Sequence, residues 1–484
     1  MESVKSQTIR SVKWNGIEKF AGEGIQFLVT LIIARMLSPS DYGMIGLLTI
    51  FITISQTFID SGFNTALLRT KSPNEKDYCT VFYFNILIAC IVYAILFLTA
   101  PVISTFFKQE LLVQVLRVYS ISLIINSLMA VQVVRLQIRL DFKTLAKLRI
   151  IAVLLSGFVG IAMAYFGYEV WALVGQNLAS SIISVAFISL TCKWYPRYGF
   201  YMESFKRLGA FGSRILAAGL LDSIYKNLTK FAIGKFYTSS DLGSYERGAQ
   251  FADLPNRSIN SVFSTVTFPI LAKIQEDEKH LIYVYRKYIQ ISSIIIFIIS
   301  GILCALAKPI ILFTLTEKWE SAIIFLHIFA ITCMFDHLNS INLNLLKVKG
   351  RSDLFLRLEI IKKTISLSIL FCAVPFGVIV ICLSKLVYNQ IAVFCNTYYT
   401  GKLFDYGYTA QFKDFLPYFF KTIISCIPAY LLTLTNLHHL IVIVLGSCIS
   451  ISIYILLLRK DENMNELFAI VTNRFKIKTN NHEF

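Results

Sequence analysis

IARMLSPSDYGMIG (33–46) and IGKFYTSSDLGSYE (233–246) stand 200 residues apart in this 484-residue chain and carry the same Ser-Asp-x-Gly turn at the same point. Aligned without gaps over 33–65 and 233–265, the two segments share nine identities: Ile33/Ile233, Ser40/Ser240, Asp41/Asp241, Gly43/Gly243, Phe51/Phe251, Ile59/Ile259, Ser61/Ser261, Phe63/Phe263 and Thr65/Thr265. Arg35 matches Lys235 in charge. Shared Phe and Ile between apolar helices say little, whereas a turn recurring at one offset argues for an internal repeat. The competing account is a common helix-turn-helix loop that arose twice.

Outward from the repeat, the composition sets the class. Apolar residues make up 56% of the chain, charged residues 15%, and the mean hydropathy is +0.65. Stretches of about 20 apolar residues, enough to cross roughly 30 Å of hydrocarbon, recur at 15–36, 44–68, 80–105, 111–137, 150–166, 171–192, 208–235, 247–272, 289–307, 320–346, 358–373, 379–400, 418–434 and 440–458. The expectation is an all-α polytopic membrane protein of about 14 transmembrane helices. The first span carries Lys19 and Glu23 and no cleavage site follows it, so it reads as a retained helix.

The basic residues test that count, because Lys and Arg accumulate in short cytoplasmic loops. With the N-terminus inside, eight loops and tails on one side hold 32 of the 46 Lys and Arg, and the opposite loops hold three, Lys108, Lys308 and Lys318. Both termini are therefore expected in the cytoplasm. The same dispersion accounts for the net charge of +17 without nucleic acid, since no basic domain is large enough to grip a duplex. All ten cysteines lie in or beside apolar spans with no CxxC, so neither a zinc site nor a disulfide framework is indicated.

Six spans, an even number, separate the two turns, so both copies run the same way through the bilayer. Parallel repeats of this kind are related by an axis along the membrane normal, an arrangement found in secondary transporters with the substrate at the repeat interface. The opening helix pair of each copy also carries polar residues at helical spacing. Span 1 has Asn15, Lys19, Glu23, Gln26 and Thr30; span 2 has Thr49, Thr53, Gln56, Asp60 and Asn64. Span 7 has Arg214, Asp222, Lys226 and Lys230; span 8 has Glu246, Gln250, Asp253, Arg257 and Asn260. A charge at the centre of a spanning helix costs about 2.5–3.5 kcal/mol, so these faces are expected to meet water or one another. For any one pair, an i, i+4 ion pair that merely lets the helix insert is the alternative. The cations concentrate in spans 7 and 8, a surplus that suits an anionic ligand such as a diphosphate. Span 10 is polar through Asp336, His337, Asn339, Asn342 and Asn344, while Arg117 and Lys385 stand alone. No GxxxxGK[ST], HExxH or G-x-S-x-G occurs, and no loop is large enough to hold a sugar acceptor, so an enzyme is not expected.

With its fourteen spans, the ARMLSPSDYG turn, the FIDSGFNTALLR segment closing span 2 and the repeat at span 7, the chain resembles the Wzx-type polysaccharide flippases of the multidrug/oligosaccharidyl-lipid/polysaccharide exporter superfamily. The resemblance implies two six-helix lobes, 1–200 and 201–400, with a C-terminal helix pair and tail at 401–484. It implies movement of an undecaprenyl-diphosphate-linked oligosaccharide from the cytoplasmic to the periplasmic leaflet of the bacterial inner membrane by alternating access, beside a polysaccharide polymerase and glycosyltransferases. On that footing Arg214, Lys226, Lys230 and Arg257 attract the diphosphate or acidic sugars, and Lys19, with two acidic neighbours, lines the cavity from a less basic span 1, so either lobe could hold the diphosphate. Glu23, Asp60, Asp222 and Asp253 tune those cations or carry a coupling proton or sodium ion, and Gln26, Gln56, Gln250, Asn260 and Asn342 bond sugars. No other cofactor is expected. A drug or metabolite antiporter of the same superfamily and, further off, a membrane glycan polymerase or ligase are the alternatives.

Overall fold

The computed structural model describes residues 22–60 and 62–466; Lys19 lies outside them. Within them the chain is helical throughout, with no strand. In order the helices are α1 (22–36), α2 (Pro39–Asp60), α3 (Phe63–Arg69), α4 (Glu75–Phe107), α5 (Leu111–Tyr119), α6 (Ile121–Ile138), α7 (Phe142–Tyr165), α8 (Val170–Cys192) and α9 (Met202–Phe236). There follow α10 (Ser239–Lys273), α11 (Glu278–Ala305), α12 (Ala307–Leu315), α13 (Ala322–Met334), α14 (Asp336–Val348), α15 (Ser352–Ala373), α16 (Val378–Phe404), α17 (Tyr408–Leu432) and α18 (His439–Leu457).

Among the described residues, ten segments are long and apolar enough to cross a membrane: α2, α4, α5 with α6, α7, α8, α11, α13 with α14, α16, α17 and α18. This is a multi-pass membrane protein. Of the other expected spans, α9 and α10 run 35 residues each and α15 runs 22, so length is not what sets them apart; their charged and uncharged polar side chains are. Apolar side chains turn outward from the helices, as at Phe158 (75% exposed) and Leu98 (74%), the pattern lipid requires and water penalises.

Packing divides the chain once, between Gly243 and Ser244. In the first unit α9 lies on α2, α3 and α4, so the seventh span packs with the helices that precede it. One cluster here joins Phe63, Leu67, Tyr78, Val131, Trp194 and Leu208. Above it Glu75 accepts two bonds from Arg135 Nη1 (2.8 and 3.0 Å) and one from Trp194 Nε1 (2.8 Å), holding the segment after α8 against α4. In the second unit α11 packs on α17 and α13, and α16 on α13, α14 and α15.

Three expected spans are broken helices. Span 2 divides at Gly62, whose φ of 70° is left-handed and whose missing Cβ would lie 2.3 Å from the Gly212 carbonyl oxygen, so α9 closes over the bend. Span 4 divides at Ser120 and span 10 at Phe335. At Phe335 the α-helical ladder lapses into a tighter turn, Phe335 N to Thr332 O at 3.3 Å, and the amide of Asn389 donates to that same carbonyl at 2.9 Å. A side chain from another helix thus satisfies a group the break exposes.

The repeated turn has a structural reason. Ser38 and Asp41 form a reciprocal cap at the start of α2: Ser38 N donates to Asp41 Oδ2 (2.9 Å) and Asp41 N to Ser38 Oγ (3.3 Å). Thr238 and Asp241 repeat it at α10, at 3.1 Å in each direction. Each pair satisfies two donors that a helix start leaves free. The glycine two residues on serves the contact between copies. A Cβ on Gly43 would sit 1.7 Å from the Ser239 carbonyl oxygen, and one on Gly243 would sit 1.9 Å from that of Pro39. Each helix start therefore lies against the other's backbone, an approach only glycine allows.

Candidate functional site

Two groups of polar side chains form, one in each unit. In the first, the stripes of α2 and α9 come together. Thr57 Oγ1 and Ser223 Oγ lie 2.8 Å apart, and a Cβ on Gly219 would reach Thr57 Cγ2 at 3.2 Å. Small residues bring the backbones close here, so the charges beside Ser223 stand next to the polar face of α2. On that face Asp60 Oδ1 accepts Gln56 Nε2 (3.3 Å) and Asn64 Nδ2 (3.1 Å), and Asn85 of α4 donates to Asn64 Oδ1 (3.3 Å). On α9 Lys226 Nζ pairs with Asp222 Oδ2 at 2.6 Å.

The i, i+4 pair therefore forms, yet the Lys226 side chain stays 70% exposed and that of Asp222 45% exposed. Arg214 is exposed and Lys230 half-buried on the same helix. An exposed cation in a bilayer-spanning segment either faces water or snorkels to a headgroup. Lys226 has ten residues of α9 after it and twenty-four before it, and its carboxylate partner is fixed beside it. At about 1.5 Å per residue that places it well inside the helix. On α1, Glu23 is half-buried and the exposed Gln26 bonds to Thr30 Oγ1 at 3.4 Å.

In the second unit, α10 carries Asp253 and Arg257 as a second i, i+4 pair at 2.7 Å, with the Arg257 side chain 76% exposed. Asp253 Oδ1 also accepts the Cys333 thiol (3.4 Å), which lies between Asp253 and Asp336. Asp336 Oδ1 accepts Asn389 Nδ2 (2.6 Å), Asn389 Oδ1 accepts Asn339 (2.7 Å), and Asn339 Oδ1 accepts Asn396 (2.8 Å). Gln250 accepts Arg247 Nη1 at 2.6 Å, and the buried Arg247 guanidinium lies 5.8 Å from the Trp319 ring. Asn260 is half-buried.

Three readings from sequence change. Asn342 is fully buried and exchanges both amide bonds with Gln411, at 2.9 and 3.0 Å, while its carbonyl accepts Thr400 at 2.9 Å. It serves the junction of α14, α16 and α17, and a sugar cannot reach it. Lys385 is not isolated: its ammonium donates to Tyr245 OH and lies 5.5 Å from the Phe329 ring. Arg117 stacks on Phe97 at 4.1 Å and donates to the Phe97 carbonyl. Sequence reasoning also missed Asn389, although it stands one helical turn beyond Lys385, and that i, i+4 polar pair in an apolar span was the available signal. Replacing Asn342 with alanine is expected to lower the melting temperature in detergent, because it leaves Gln411 and Thr400 short of a partner at about 1–3 kcal/mol per buried group; unchanged melting would mean that water takes the amide's place.

No group of three or more His, Cys, Asp or Glu able to hold a metal ion occurs among the described residues, and all ten cysteines are free. The two polar groups thus gather charge and hydrogen-bonding side chains on α2 and α9 in one unit and around α10 in the other, an arrangement chemically capable of binding a polar solute.

Comparison with known proteins accords with that capability. The profile of the polysaccharide biosynthesis protein family matches residues 32–324, which span both turns and both ion pairs. The chain belongs to this family. Over 356 residues it is 25% identical to the teichuronic acid biosynthesis protein TuaB of Bacillus subtilis (strain 168), covering 73% of this chain and 74% of that one. Over 362 residues it is 21% identical to the lipopolysaccharide biosynthesis protein WzxC of Escherichia coli (strain K12), covering 74% of each. In fold it is similar to the lipid II flippase MurJ in an inward closed conformation, with a TM-score of 0.74, 16% identity and coverage of 92% of this chain and 99% of that one. An inward-facing multidrug resistance MATE family transporter of the MOP superfamily follows, at 0.59 and 17%, covering 78% and 94%. The ARMLSPSDYG and FIDSGFNTALLR segments both lie within the matched residues, and the fold is one shared with MurJ and the MATE transporter.

Proposed function

We propose that this protein carries an undecaprenyl-diphosphate-linked polysaccharide repeat unit from the cytoplasmic to the periplasmic leaflet of a bacterial inner membrane by alternating access, with both termini in the cytoplasm and about fourteen helices spanning. The observation that carries the reading is the cationic face of α9, where Arg214 and Lys226 are exposed within a spanning segment and Lys230 follows one turn on. Lysine offers a diphosphate a compact charge, and arginine offers a two-pronged donor. Relatives named for teichuronic acid and lipopolysaccharide biosynthesis support a glycan as the cargo. The polymerase and glycosyltransferases of the same glycan are the implied partners. A cation-exporting antiporter would be better served by an acidic face at this place.

Deleting the gene is expected to leave the complete lipid-linked repeat unit on the cytoplasmic leaflet and to remove the polymer from the cell surface. Extraction and quantification of undecaprenyl-diphosphate-linked oligosaccharides together with surface glycan measures both. Normal amounts of each would instead favour the antiporter.

Ion coupling belongs to the second group in this reading. Asp253 and Asp336 flank Cys333, with Lys385 near by on α16, and two carboxylates in apolar surroundings suit exchange of a proton or sodium ion. In proteoliposomes, Asp336→Asn is expected to abolish the response of transport to an imposed proton or sodium gradient. A gradient response equal to wild type would remove Asp336 from the coupling site.

A further inference from the structure

Where α11 begins and α18 has ended, the second unit holds a cavity of about 620 Å³, lined by none of the polar residues assigned above to the cargo. Its lining includes Lys279, Arg286 and Lys287 of α11 and, from the segment after α18, Lys460, Asp461 and Glu462. Most of these charges are already matched. Arg286 makes a two-pronged pair with Asp414 (2.8 and 2.9 Å), Lys287 pairs with Glu466, and Asp461 accepts Tyr418 OH (3.4 Å) with Lys421 at 3.9 Å. Lys279 and Lys460 have no carboxylate partner among the described residues, and Glu462 pairs with neither. Two exposed ammonium groups thus face one cavity from opposite walls.

Depth in the bilayer then identifies what they face. The apolar run of α18 ends at Leu457, three residues before Lys460, and α11 carries no charge after Lys287, one residue beyond Arg286. At about 1.5 Å per residue, the cavity lies at the level of the lipid headgroups. Its mouth is amphipathic, with Ile282 and the 56% exposed Tyr283 beside the cations, the mixture that marks a membrane interface. Basic pockets between helices at this level attract anionic headgroups. The two walls are also tied directly, by Asn463 Nδ2 donating to Gln290 Oε1 at 3.0 Å.

We propose that this cavity binds the phosphodiester of an anionic membrane lipid, bridged between Lys279 and Lys460, and that the bound headgroup fastens the segment after α18 to α11. The site is independent of the glycan cargo; only its assignment to the cytoplasmic leaflet rests on the orientation proposed above.

The test uses the full chain purified in mild detergent from a membrane containing phosphatidylglycerol, with retained lipid counted by native mass spectrometry. Wild type is expected to retain the anionic lipid. Lys279→Gln with Lys460→Gln is expected to reduce retention by about tenfold, given two surface cations each contributing to headgroup attraction, and Lys279→Arg with Lys460→Arg is expected to keep it. Monodisperse elution of all three proteins excludes misfolding as the cause. A second arm compares thermal shifts in phosphatidylcholine nanodiscs, with and without phosphatidylglycerol, and in phosphatidylcholine with soluble glycerol phosphate. A shift that needs the lipid supports the proposal. A full shift with soluble glycerol phosphate and no retained lipid overturns the lipid as occupant, and equal retention by wild type and the glutamine variant overturns the site. Neither readout involves glycan transport, so failure of the flippase reading leaves this test intact.

Discussion

Export of surface glycan is expected to fall at least about tenfold when Lys226 and Lys230 are both replaced by alanine, with the protein still present in the membrane. A hydrogen bond to a charged group contributes about 1.5–3 kcal/mol, and 1.4 kcal/mol is about a factor of ten, so loss of one lysine–phosphate contact at the limiting step reaches that size. Removing Lys226 also takes from Asp222 the ammonium it holds at 2.6 Å. The control is Asp222→Asn with Lys226→Ala, which deletes the pair as a unit. If charge toward the cargo is what matters, the double variant remains defective. If Lys226 only lets Asp222 enter the membrane, the double variant recovers export. Glycan quantification on a null background, with protein level read by immunoblot, distinguishes the two.

The second large effect is expected at the glycines of the repeated turn. Gly43→Val and Gly243→Val each place a branched side chain where a backbone oxygen already lies, 1.7 Å from Cβ in one case and 1.9 Å in the other. Overpacking a core typically costs about 1–3 kcal/mol when side chains can move aside; a carbonyl oxygen has no rotamer to change, so the cost at these positions is expected to exceed that range and to abolish export. Gly167→Ala serves as the comparison on thermal stability. A Cβ there meets nothing within 4 Å, although its φ of 80° still strains an alanine, so a modest drop in melting temperature at Gly167 beside a collapse at Gly43 would separate crowding from backbone strain.

The features legible in the sequence are those decided locally. Apolar run length located the helices, and the turn at 40–43 was readable because its Asp caps a residue three positions away and because the motif recurs at 240–243; what its Gly makes room for, the backbone at Ser239, lies far along the chain. The joins inside spans 2, 4 and 10 were not readable. At Phe335 the break is supported by an amide 54 residues further along the chain, on Asn389, and hydropathy carries no trace of such a partner. The candidate site divides the same way. The pairs Asp222–Lys226 and Asp253–Arg257 are i, i+4 neighbours and form as their spacing predicts. Asn342 looked like a sugar ligand because polarity in a spanning helix signals a partner without saying which one, and the partners proved to be Gln411 and Thr400. Lys385 looked alone because Tyr245 stands 140 residues before it.

The mutual contact of the two turns also bears on how such a chain can change over generations. Duplicated halves ordinarily free one copy to wander while the other keeps the original duty. Here each copy is the other's mould, for the vacancy at Gly43 is occupied by Ser239 and the vacancy at Gly243 by Pro39. A larger residue in either half meets main chain in its sister, where no compensating substitution can make room. The two helix starts are bound to one another's history at this point, since a change in either meets main chain of the other.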